Sequence, residues 1–140
     1  MALKHRSVGQ RVVFTNGCFD VVHAGHIYLL SEAAKLGDIL IVGLNDDESI
    51  RRLKGQDRPK LPFELRAFTL AGLSAVGYIV PFTEDTPLEL ILALKPDVIV
   101  KGGDYKFDTI VGAREVRSWG GDVFVIPLLE GLSTSGILNS

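Results

Sequence analysis

Four short apolar runs, each too short for a helix and separated by stretches with helical spacing, constrain this chain more than any other feature. RVVFT (residues 11–15), DILIVGL (38–44), DVIV (97–100) and DVFVI (122–126) are apolar or β-branched without the in-out alternation of a half-exposed strand. Continuous apolar strands of this kind belong to parallel sheets covered on both faces. A fifth, brief strand is expected at 78–80. Between the strands, Ile27, Leu29, Leu30, Ala33, Ala34 and Leu36 recur at helical spacing over 26–36, and Gly37 supplies a stop. Helices are also expected at 47–53, 63–73, 87–94 (opened by Pro87), 112–119 and from about Ser133. Strands alternating with helices indicate a doubly wound α/β sheet with right-handed crossovers. Ligands of such sheets bind at the carboxyl ends of strands, here the loops after Thr15, Leu44 and Val100.

A chain of 140 residues fits one domain spanning 1–140, with 1–10 as an N-terminal extension. Its 46% hydrophobic and 23% charged residues exclude disorder and fibrous repeats. The net charge of −2 gives no global field to recruit nucleic acid, so an anionic ligand needs a local site. One cysteine makes neither an internal disulfide nor a multi-cysteine zinc site. MALKHRSVGQ lacks an apolar signal core and no apolar run approaches membrane-span length, so a cytoplasmic protein without membrane partners is expected.

The segment after the first strand, NGCFDVVHAGH, runs straight into a helix. It lacks both the GxGxxG and the GxxxxGK[ST] phosphate fingerprints. Instead, His23 and His26 flank Gly25 at a helix N-terminus, where backbone N–H groups and the helix dipole favour phosphate. Imidazoles there can donate hydrogen bonds to a phosphoryl transition state. The same spacing equally serves helix capping or a chance metal site. Further on, KGQDRPKLP is kept irregular by two prolines and collects Lys54, Arg58 and Lys60 near Arg51 and Arg52; it is either a phosphate-binding loop or solvated surface.

TNGCFDVVHAGH resembles the nucleotidyltransferases with a His-x-Gly-His signature, and its wording is most similar to the heptose 1-phosphate adenylyltransferases. LNDDESIRRLKG, RPKLPFELRA, VPFTEDTPLELILALKPDVIVKGGDY and EGLSTSGI extend the resemblance, in order, over nearly the whole chain. It implies a Rossmann-like sheet of about five parallel strands, of nucleotidyltransferase type, without the sugar kinase to which the transferase is often fused. The implied reaction moves AMP from ATP to D-glycero-D-manno-heptose 1-phosphate and releases pyrophosphate, in lipopolysaccharide-core or other surface-glycan biosynthesis. Alternatives are a glycerol 3-phosphate cytidylyltransferase, a coenzyme-precursor adenylyltransferase and a non-catalytic nucleotide-binding domain.

By the same resemblance, His23, His26, Lys54 and Arg66 are catalytic. Thr15, Asn16, Gly17, Cys18, Phe19, Asp20, Gly25 and both histidines hold the nucleotide, together with Lys101, Gly102, Gly103, Asp104, Ser133, Thr134 and Ser135. Asn45, Lys54, Arg58 and Arg66 bind the sugar phosphate. Ser133 to Ser135 read STS where relatives often read STT, keeping the second hydroxyl. Read alone, Arg66 is otherwise a helix-surface partner of Glu64, Ser133 an N-cap, and Asp104 a ribose or magnesium contact. Cys18 is expected to be chemically inert, and Asp46 and Asp47 to be cap and loop residues. Magnesium is expected on the ATP phosphates without a protein cage, and a homodimer or higher homo-oligomer is implied.

Overall fold

The computed structural model describes residues 9–103 and 105–127; Asp104, the 133–135 hydroxyl segment with its expected helix, and residues 1–8 of the expected extension lie outside them. The chain order is β1 (Val12–Gly17), α1 (Ala24–Ala34), β2 (Ile39–Asn45), α2 (Asp47–Lys54), α3 (Phe63–Ala71), β3 (Tyr78–Phe82), α4 (Leu88–Leu94), β4 (Val98–Gly102), a 3-10 turn (Phe107–Thr109), α5 (Ala113–Ser118) and β5 (Asp122–Ile126). The five strands form one sheet in the order β3-β2-β1-β4-β5. Every neighbouring pair is parallel.

Successive residues of each strand point to opposite faces, and the sequence supplies apolar side chains to both. Val13, Leu40, Val42, Leu44, Val98 and Val100 pack with Leu29, Leu30 and Ala33 of α1 and Leu70 of α3. The intervening Val12, Phe14, Ile41 and Ile99 pack with Ile91 of α4 and with Ala113 and Val116 of α5. This division explains the uninterrupted apolar runs. Pro81 lies within β3, which is tolerated because β3 is an edge strand.

Sheet order creates the site. The chain runs outward from β1 to β3, then returns to lay β4 on the other side of β1, so the switch point falls between β1 and β4. Six residue pairs register β1 with β2, but only Val13 with Val98 and Phe14 with Ile99 register β1 with β4. The carboxyl halves of β1 and β4 therefore part, and the buried Thr15 hydroxyl bridges them by donating to Val100 O at 2.8 Å. No helix among the described residues is long and apolar enough to cross a membrane.

Candidate active site

The parted strand ends open into a cavity of about 540 Å3, within the usual range for small-ligand sites. Its floor and walls include Thr15, Asn16, Gly17, Cys18 and Phe19 from β1 and the following loop, His26 and Leu29 from α1, and Lys101 and Gly102 from β4. Close approach explains two of the glycines. A Cβ on Gly17 would sit 2.9 Å from the Phe19 ring, and one on Gly102 would lie 3.1 Å from Leu29 Cδ2. Phe19 itself takes a left-handed φ of 45°, unusual for a bulky residue, which turns its ring edge against His26 at 5.1 Å.

His23 is the N-cap of α1, and its Nδ1 accepts from Gly25 N–H at 3.0 Å. His26, at the third helical position, accepts the His23 N–H on its own Nδ1 at 3.3 Å. Each backbone N–H must donate, so each Nδ1 is unprotonated and each neutral ring carries its proton on Nε2. Among the described residues, no hydrogen bond engages either Nε2. The rings stack with centroids 3.9 Å apart. Burial, then the neighbouring His23 and Lys54, lower the His26 pKa to about 4, so it stays neutral near pH 7. Capping and anion binding, open alternatives in the sequence, are compatible: the cap bonds fix both rings in the tautomer that presents an N–H donor.

Among the described residues, the cavity wall also carries Lys54, Arg58, Lys60 and Lys101, against a single carboxylate, Asp20. Lys54 ends α2, where the helix dipole favours a cation. Asp20 is 8% exposed and accepts from Lys60 N–H at 2.8 and 2.9 Å and from Leu61 N–H at 2.9 Å. Burial alone would raise its pKa, but these two N–H groups and Arg58 hold it below the usual carboxylate value. Arg58 Nε lies 3.3 Å from Asp20 Oδ2, misaligned for a hydrogen bond, and is left buried without a hydrogen-bond partner. Burial pushes the Lys101 pKa down and that of the Cys18 thiol up; Lys54 partly offsets the latter. Burial thus favours the protonated thiol of Cys18 on the wall.

A cytidylyltransferase-like family model matches residues 14–138. The chain belongs to that family. The bifunctional protein HldE of Syntrophotalea carbinolica is 55% identical over 133 residues, covering 95% of this chain and 27% of that protein. The bifunctional protein HldE of Vibrio parahaemolyticus is 53% identical over 137 residues, covering 98% of this chain and 29% of that protein. The chain thus spans less than a third of these curated relatives. Among solved structures, the lipopolysaccharide core biosynthesis protein from Thermoplasma volcanium superposes with a TM-score of 0.69 at 30% identity, covering 86% of this chain and 98% of that one.

Of the residues singled out in the sequence, the cavity gathers His26, Lys54, Arg58, Lys101, Gly102 and residues 15–20. Five expected contact residues, Arg66, Asn45, Gly25, His23 and Gly103, do not line it. Arg66 does not reach the cavity: it is 0% exposed, and its guanidinium donates to Leu61 O, Cys18 O, Asn45 O and Asp47 Oδ1 at 2.6 to 2.9 Å. Nor is it a surface partner of Glu64. The Asn45 side chain is also internal, donating to Ser49 Oγ at 3.2 Å. Gly25 is buried and spends its N–H on the His23 cap. His23 does not line the cavity wall directly but stacks behind His26. Gly103, with φ of +105°, turns the chain after β4 and donates to Ile126 O.

Asp46 caps α2 through Ser49 N–H, as expected, and Asp47 pairs with Arg66. Arg52 leaves the basic cluster to bind Asp85 and Thr83 O. Unforeseen wall residues are Leu29, Val21 and Tyr105. Tyr105 follows the glycine pair, and its ring lies 5.2 Å from Lys101 Nζ; an aromatic next to a strand-end glycine turn was the available signal.

Proposed function

We propose that this chain transfers AMP from ATP to D-glycero-D-manno-heptose 1-phosphate, releasing pyrophosphate and forming ADP-heptose for lipopolysaccharide-core or another surface-glycan synthesis. The observation that carries this is the pairing, across one strand-end cavity, of the tautomer-fixed His26 N–H donor with Lys54, Arg58, Lys60 and Lys101. Such a wall suits two anions brought together, and similarity to the HldE proteins supports a heptose phosphate as the acceptor.

A phosphate oxygen of the acceptor attacks the α-phosphorus in line, the bond to the bridging oxygen of the β-phosphate breaks, and pyrophosphate leaves with that electron pair. His26 donates from Nε2 to the phosphoryl oxygens as charge develops, and His23, stacked behind it, holds that ring in place. Lys54, Arg58 and Lys60 hold the phosphates together so that repulsion between the substrates does not prevent attack. Gly102 and Thr15 border the space assigned to the nucleoside.

Magnesium enters as part of the MgATP substrate. Asp20, the one carboxylate on the wall among the described residues, is committed to two backbone N–H groups and so leaves the metal to the phosphates. A homo-oligomer and a cytoplasmic location complete the proposal. The test is pyrophosphate release with each common nucleoside triphosphate and both heptose 1-phosphate anomers. Release with ATP and one heptose anomer is expected; release with CTP and glycerol 3-phosphate, or from no pair, refutes the assignment.

A further inference from the structure

The mechanism above gives Arg66 no chemical role, yet it is the largest fully buried side chain of the described residues and its fork reaches several segments. Nε donates to Leu61 O at 2.9 Å in the irregular loop. Nη1 donates to Cys18 O in the loop before the histidines and to Asn45 O at the end of β2, each at 2.8 Å. Nη2 meets Asp47 Oδ1 at 2.6 Å in the first turn of α2, the helix that ends in Lys54. Asp20 grips the same loop with the opposite chemistry, accepting the N–H groups of Lys60 and Leu61. Leu61 is therefore held at its N–H by an anion and at its carbonyl by a cation.

We infer that Arg66 and Asp20 are a pair of positioning residues that clamp the backbone at 60–61 against the loop preceding the histidines, and so set where the cations of the 54–60 stretch stand relative to His26. Neither guanidinium nor carboxylate need touch substrate. The charged partners make these hydrogen bonds stronger than neutral ones, which suits a loop that must hold several cations side by side without a ligand. The inference rests on the anion-binding role proposed above, and it goes further by giving Asp20, an anion on a wall built for anions, a reason to be there.

Sign distinguishes this from a simple charge effect. On Coulomb's law alone, Asp20→Asn removes a negative charge beside Arg58 and should tighten the binding of an anion. If Asp20 clamps the loop, the same substitution should weaken binding. Amide hydrogen exchange and calorimetric titration with inorganic pyrophosphate should be measured on the whole chain for the wild type, Asp20→Asn and Arg66→Lys.

The expected result for Asp20→Asn is exchange at Lys60 and Leu61 faster by about 10- to 100-fold, the factor a lost charge-assisted hydrogen bond carries, together with a pyrophosphate Kd at least about 10-fold higher. Arg66→Lys keeps the charge but loses the fork, so it should speed exchange at the same amides. Unchanged exchange at 60–61 in Asp20→Asn, or tighter pyrophosphate binding, overturns the clamp. A wild type that releases no pyrophosphate from ATP and any sugar phosphate refutes the proposed function separately. Exchange, which uses no ligand, then decides the clamp alone, and it does so even if Arg66→Lys fails to fold.

Discussion

His26 should make the stability of this protein depend on pH in a way that one substitution removes. Burial first, then His23 and Lys54, depress its folded-state pKa from an ordinary 6.5 to about 4. Because the folded value lies below the unfolded one, the unfolded chain takes up the proton first. The stabilisation is therefore complete above about pH 6.5 and is lost progressively as the pH falls toward about 4. Linkage with these two values gives a loss of about 2 kcal/mol between about pH 7.5 and about pH 5, on the order of a tenth to a third of a typical domain's stability. His26→Gln is the informative variant, because a glutamine at the third helical position still accepts the N-cap N–H but does not titrate. Urea unfolding at the two pH values should show the wild-type midpoint falling by about 1 M more than that of the variant, given a slope of about 2 kcal/mol/M. Parallel midpoints would mean that His26 is not desolvated, and the case for a permanently neutral donor would collapse.

Four other outcomes follow from the same geometry. Arg66→Leu leaves three internal carbonyls and Asp47 without their donor, so at about 1 to 3 kcal/mol per orphaned group it should unfold most of the protein at 25 °C, read by circular dichroism. His23→Asn, which keeps an N-cap acceptor, should retain the wild-type Tm within a few degrees while lowering kcat by about 100-fold or more; unimpaired turnover would remove His23 from the mechanism. Thr15→Val deletes the hydrogen bond across the parted strands and should cost about 1 to 2 kcal/mol in urea unfolding. Gly17→Ala places a methyl 2.9 Å from the Phe19 ring, so it should raise the KM for ATP by disturbing the ring that backs His26.

The sheet was legible in the sequence because covered parallel strands leave a pattern no other element makes: short runs with no polar alternation. Boundaries were less so. Asn16-Gly17 looks like a strand break, but β1 continues through Gly17, since the glycine is there to admit the Phe19 ring rather than to turn the chain. Helix α1 begins at Ala24, two residues before the span of its apolar spacing, because Ala24 and Gly25 of its first turn add nothing to the apolar stripe. The site residues divide along the same line. Local motifs located His26, Lys54 and Lys101, whose position depends on the strand or helix that carries them. They misplaced Arg66 and Asn45, because a motif gives a residue's identity and neighbours but not the direction of its side chain. A buried arginine is rare enough that an exposed role is the natural expectation, and only tertiary structure shows the carbonyls that make its burial affordable.

Charge distribution gives those corrections their functional sense. The chain as a whole is acidic, so the proposed attraction for a nucleoside triphosphate cannot come from net charge. It comes from concentrating four cations on one wall while spending the nearby carboxylates elsewhere: Asp20 on the N–H groups of Lys60 and Leu61, Asp46 on the cap of α2, Asp47 on Arg66. Asp20 lies on the cavity wall itself, yet it is turned to holding the scaffold instead of opposing an anion, as are Asp46 and Asp47. The two histidines follow the same economy, because the hydrogen bonds that begin α1 also decide which nitrogen carries the proton. Arg66→Lys, which keeps the charge but loses the fork, should therefore fail where His26→Gln, which keeps the acceptor for the N-cap N–H, retains the fold.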